Sequence, residues 1–145
     1  MKSTIFSEEF VKNILQSKEN KSLDFKLKIT SSSKIARTLA AMANTDGGIL
    51  IIGVNDQKRV IGIDLDEERF MIDKANQDYC TPKVSLAMHD FKWDDEETAL
   101  LKIEKWILIV EVKKSEGPKI FCPDKSGINR IYIRLDDQTR LFTGV

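Results

Sequence analysis

Asp24 and Lys26 lie two residues apart in Leu23-Asp24-Phe25-Lys26-Leu27-Lys28-Ile29, where apolar and polar residues alternate. On a strand, that alternation sends Asp24 and Lys26 to one face and Leu23, Phe25 and Leu27 to the other. Metal-dependent nucleases use such a pair: the carboxylate holds a divalent cation and the ammonium supports the attacking water or the phosphate. The same spacing also describes a solvated strand face with a weak surface ion pair, so further acids must converge before chemistry follows. Glu19, five residues earlier, and Asp56, just past the next strand candidate, are the acids that could reach the same sheet end. Their oxygen ligands suit Mg²⁺ or Mn²⁺ rather than zinc. Glu19, Asp24 and Asp56 are therefore the candidate metal ligands, and Lys26 joins them as a candidate catalytic group.

Asn44-Thr45-Asp46-Gly47-Gly48 offers backbone N–H groups that Gly47 and Gly48 could turn toward an anion, a candidate phosphate loop. It lacks the GK[ST] of a P-loop and precedes a strand instead of following one, which argues against Walker-type ATP binding. A nucleotide-binding reading would predict thermal stabilisation by ATP. His89 is the single histidine, which leaves little basis for a histidine triad or general base. Cys80 and Cys122 have no CxxC spacing and read as buried free thiols. Trp93 and Trp106 border strand-like segments and read as packing residues before base-stacking ones.

The elements that must position these groups follow from periodicity. Ser7 is a candidate N-cap before a helix to about residue 17, and the alternation after Leu23 predicts a strand through Ile29. Ser31 to Ser33 can cap a helix carrying Ile35, Ala36, Leu39, Ala40 and Ala43, stopped at Gly47-Gly48. The continuous apolar run 49–54 predicts a central strand covered on both faces. Residues 60–63 are expected to return as a strand segment, and Asp66-Glu67-Glu68 to open a helix ending before Pro82. Beyond it, 84–93, 99–104, 107–112, 119–122 and 130–135 read as strands between turns. This order predicts an α+β fold, a mixed β-sheet with flanking helices, in one domain over residues 1–145.

The 23 basic residues balance the 23 acidic ones, so any surface for a polyanion must be local. A hydrophobic share of 41% and a charged share of 32% belong to a globular protein, able to fold alone or as a homo-oligomer. Met1 to Phe6 lack the apolar core of a secretory signal, and no apolar run approaches the ~20 residues of a membrane helix. No membrane partner and a cytoplasmic location are the expectations. Leu141 to Val145 carry no stop signal, in keeping with a piece of a longer protein.

Glu19-(x)4-Asp24-Phe25-Lys26, then Ala40-Ala41-Met42-Ala43-Asn44-Thr45-Asp46-Gly47-Gly48 and Leu50-Ile51-Ile52-Gly53-Val54-Asn55-Asp56, closely resemble the Schlafen AlbA-like family. Its members show E-(x)4-E-F-K, A-A-F-A-N-T-x-G-G and L-x-I-G-V-D-D. Tyr132-x-Arg134 and Thr139-Arg140 resemble the later Y-x-R-x-G-S-S-T-R segment, so the likeness runs from Glu19 to Arg140. It implies a nucleic-acid-binding domain for DNA or RNA, of the kind found in transcriptional regulators, with phosphate contacts from Lys26, Arg37, Arg134 and Arg140. The alternative it implies is an endoribonuclease cutting structured RNA such as tRNA, with Glu19, Asp24 and Asp56 on Mg²⁺ or Mn²⁺. Three departures bear on this: Asp24 is one methylene shorter than the usual Glu, Asn55 replaces an Asp, and Leu135-Asp136-Asp137-Gln138 replaces x-G-S-S. Lys28, Lys34, Lys113, Lys114, Lys119 and Arg130 are further basic candidates.

Overall fold

The computed structural model describes residues 6–144; the reading of residues 1–5 as free of a secretory signal, and Val145, lie outside them. The chain runs α1 (Glu8–Leu15), β1 (Leu23–Lys26), α2 (Ser32–Asn44), β2 (Gly48–Ile52), α3 (Leu65–Tyr79), β3 (Leu86–Trp93), α4 (Glu96–Leu101), β4 (Lys105–Val112), β5 (Phe121–Pro123), β6 (Asn129–Leu135) and β7 (Gln138–Leu141). Strands β1-β2-β4-β3 form a mixed sheet, parallel only between β1 and β2, and β5-β6-β7 form a separate antiparallel sheet. The fold is α+β, as the order of periodicities predicts.

Strand β2 is central and its run of apolar residues is explained by its two covers. Leu50 and Ile52 point into a core with α2, α3, Leu108 and Val110, while Ile51 packs on the other face with Val11 and Leu15 of α1, Ile107 and Ile109. Helix α2 lies between the two sheets, because its far side receives β6 and the Tyr132 ring. This double cover requires small side chains: Ala36, Ala40, Ala41 and Ala43 are all buried, while Lys34 and Arg37 leave the helix on its open side. Leu39, fully buried in the same helix, should cost about 2–5 kcal/mol when cut to Ala.

The caps sit where the sequence places them. Ser7 and Ser31 accept from the backbone N–H of Phe10 and Lys34. At the far end of α2, Gly47 adopts a left-handed φ of +72° and donates its N–H to the Met42 carbonyl.

Four expectations need correction. The strand after Leu23 stops at Lys26, not Ile29, since Leu27 turns to solvent at 46% exposure. Residues 60–63 form no strand; only Val60 bridges back to Val54, across a chain bent at Gly53 and Gly62 with φ of +117° and +93°. Residues 99–104, expected as a strand, begin inside α4, where the Asp95 carboxylate and Thr98 hydroxyl cap each other's backbone N–H. Strand β7, a short hairpin partner of β6, was not foreseen.

Candidate nucleic-acid interface

Strand β1 is held on one side by β2 and on the other by a tight reverse turn in which Asn20 and Leu23 exchange backbone hydrogen bonds. That turn brings Glu19 back alongside Asp24. Glu19 Oε2 accepts from the Phe25 N–H at 2.8 Å. Burial and the neighbouring Asp24 carboxyl raise the Glu19 pKa above the ordinary glutamate value, with the Phe25 N–H and the Lys26 charge opposing. Asp24 is 4% exposed, and Lys26 Nζ stands 3.1 Å from its Oδ2 without hydrogen-bond alignment, leaving Oδ2 with no hydrogen-bond partner.

The register fixes which way these groups face. Asp24 pairs with Leu50 and Lys26 with Ile52, both on the α2 side of the sheet, whereas Phe25 pairs with Ile51 on the α1 side. Lys26 therefore opens onto a cleft of about 110 Å³ between the end of β1 and the start of α2. Lys28 and Lys34 line the same cleft, with the hydroxyls of Thr30, Ser31 and Thr38 and the apolar Ile29 and Ile35. None of its lining residues is acidic, and α2 carries no acid in its first turn to offset the positive end of the helix. The loop into the cleft is pinned from behind by Glu68, 2% exposed, whose Oε1 accepts from the Ile29 N–H at 2.8 Å. Burial raises the Glu68 pKa.

One turn beyond Lys34 on α2, the Arg37 guanidinium sits over the Tyr132 ring, 5.8 Å from its centroid. Arg37 and Tyr132 border a surface hollow with Asp124, Lys125 and Ser126. Basic groups thus follow α2 from the cleft to Arg37, with Asp124 beside the far end.

Other expected site residues lie elsewhere. Arg134 is 4% exposed and acts as a strut: Nη2 donates to the Asn20 carbonyl at 2.9 Å, Nη1 to Thr139 Oγ1 at 3.3 Å, and its backbone N–H to Thr45 Oγ1. Its expected phosphate contact is corrected on that ground. Arg140 pairs with Ile133 across β6 and β7, which puts it on the outer face of the small sheet, opposite to Arg134. There Nε donates to Gln138 Oε1. Gly47 and Gly48 are glycines for close approach: a Cβ on Gly48 would lie 2.4 Å from the Ser22 carbonyl oxygen, and one on Gly47 2.7 Å from that of Val112. With its N–H committed to Met42, Gly47 holds a chain crossing, not a phosphate nest.

Asp56 is exposed in the turn after β2, and that turn folds toward the α1 side, where Lys58 Nζ donates to the Ser17 carbonyl and covers the Phe25 ring. Asp24 faces the other side. Among the described residues no three His, Cys, Asp or Glu side chains gather to hold a metal ion. The expected trio is thus a pair plus a remote third acid. His89 is a packing residue, its Nε2 3.2 Å from Glu111 Oε1 and its ring edge-on to Phe6. Thr38 and Glu68 had no signal in the sequence; their roles come from the approach of α2 and α3 to the β1 end.

An α+β chain with this mixed sheet and helix-bordered cleft is matched by one family model. The Schlafen, AlbA_2 model matches residues 19–143, and the chain belongs to that family. The family is consistent with a nucleic-acid-associated function. No curated protein matches the chain. A solved structure, the DIP2311 protein from Corynebacterium diphtheriae, is similar with a TM-score of 0.53 at 22% identity over 91% of this chain, which shows the fold. This chain covers 25% of that protein's length. No helix among the described residues is long and apolar enough to cross a membrane.

Proposed function

We propose that this domain binds nucleic acid along α2, with Lys26, Lys28, Lys34 and Arg37 at phosphates. The observation that carries the reading is the cleft lined by Lys26, Lys28 and Lys34 with no acid in its lining, Asp24 meeting only the Lys26 ammonium, in a chain whose net charge is zero. A local concentration of positive charge at a helix start needs a polyanion to explain it better than solvation does.

The test is fluorescence anisotropy with labelled oligonucleotides across a salt series. Affinity should fall as salt rises, with a log–log slope of about 0.7 per phosphate contacted on a single strand. The double variant Lys28→Ala/Lys34→Ala should weaken binding and lower the slope by roughly 1–2, while Arg140→Ala, on the far face, leaves both unchanged. Salt-independent or undetectable binding overturns the reading.

A second reading rests on the Glu19–Asp24 pair and the unpartnered Asp24 Oδ2 beside Lys26. Mg²⁺ is commonly held by one or two carboxylates plus water and substrate phosphate, so the pair fits an ion even with Asp56 apart. Glu19 and Asp24 would hold it, and the ion would supply charge neutralisation and an activated water at an RNA phosphate. Purified protein with Mn²⁺ should then cleave tRNA, and Asp24→Asn should abolish cleavage while retaining binding. Intact RNA ends this reading and leaves the binding reading standing.

A further inference from the structure

Cys80 and Cys122 stand 42 positions apart in the chain, and the fold brings their sulfurs to 3.6 Å. Cys80 is the C-cap of α3 and Cys122 is the middle residue of β5; both are free and buried. Both thiols also reach the same acceptor, the Ala36 carbonyl of α2, at 3.6 and 3.5 Å. Two sulfurs aimed at one carbonyl from different layers are oriented toward each other as well. A disulfide bond is ~2.05 Å long, so closure asks for an approach of about 1.5 Å, which side-chain rotation can supply.

We propose that Cys80 and Cys122 are an intramolecular oxidation site, closing to a disulfide when the folded protein meets a peroxide. The atoms balance as two thiols plus one hydrogen peroxide giving one disulfide and two waters. Cys122 sulfur attacks one peroxide oxygen, the O–O bond breaks, and hydroxide leaves as water with the Cys122 proton, so Cys122 becomes the sulfenic acid. Cys80 sulfur then attacks Cys122 sulfur, the S–S bond forms, and the second water leaves with the Cys80 proton. The order follows from their mutual hydrogen bond, which lowers the Cys122 pKa and, together with burial, raises that of Cys80. The bond would tie α3 to β5 beneath α2, linking the layer that carries the large sheet to the small one.

This site is independent of nucleic-acid binding. Its test is to expose the full folded chain to hydrogen peroxide, alkylate remaining thiols, and map the unreduced digest by mass spectrometry. Alkylatable thiols should fall from two to none per chain, with a Cys80–Cys122 cross-linked peptide, monomeric migration without reductant, and recovery of both thiols by dithiothreitol. Both cysteines remaining alkylatable, their conversion to sulfinic or sulfonic acid, or linkage between separate chains would each overturn the proposal. The readout is the unmodified protein, so no variant's folding stands between the result and the inference.

Discussion

Glu68 is a buried acid that does two things, and substitution separates them. Its Oε1 accepts from the buried Ile29 N–H, and burial of its charge raises its pKa. Glu68→Ala removes the acceptor and should cost about 1–3 kcal/mol in urea unfolding, the range for an unsatisfied buried donor. Glu68→Gln keeps an oxygen there and removes the charge, so it should stay near the parent at neutral pH; equal losses in both variants would show that the Ile29 contact contributes nothing. At this scale the sequence was informative where spacing is local. Glu19 and Asp24 meet because five intervening bonds of chain make a reverse turn. The burial of Arg134 depends on which face of β6 meets α2, a matter of packing between segments about ninety residues apart that spacing does not show. Asp56 follows β2 in sequence, but the turn's direction is set by Lys58 reaching Ser17.

Among elements, α2 and the crossing after it are the most constrained. Gly48 lies with φ of +152° against the Ser22 backbone, so Gly48→Ala should destabilise by more than about 1 kcal/mol, read as a lower urea midpoint with unchanged slope. Ala40 has no exposed surface between the two sheets, and Ala40→Leu should cost about 1–3 kcal/mol through overpacking; a neutral result would mean that the layers separate easily. Helix α2 and β2 are legible because their patterns are long and their ends carry Ser or Gly signals, and β4 because its apolar run is continuous. Helix α4 was not: Ala99-Leu100-Leu101 looks like a strand fragment, yet Leu100 is 82% exposed and the element is formed by its Asp95–Thr98 cap. Strand β7 was too short and polar to show a period of two.

For the whole molecule, two sets of carboxyls oppose each other in pH. Glu19 and Glu68 have folded pKa values raised from the ordinary 4.5, so the folded state holds more protons than the unfolded one in that window. Their contribution to stability is fully present below about 4.5 and is lost as pH rises through the raised values. Asp46, Asp95 and Asp124 are lowered from 3.8 by Lys21, by the α4 cap and by the Ile128 N–H with Arg130, and their contribution is lost as pH falls below that value. Chemical unfolding across pH should show Glu68→Gln losing less stability than the parent as pH rises above about 4.5. Identical pH profiles for the two proteins would contradict this assignment.

The position of α2 has a further consequence for how the protein opens. One helix forms a wall of both sheets, so neither sheet can separate without baring the alanine face that the other also needs. The amides of α2 should therefore exchange with deuterium only through complete unfolding, and those of β6 against α2 should exchange at nearly the same rate despite belonging to a small three-stranded sheet. The two sheets should then unfold together, with the basic cleft at the mouth of the helix that joins them.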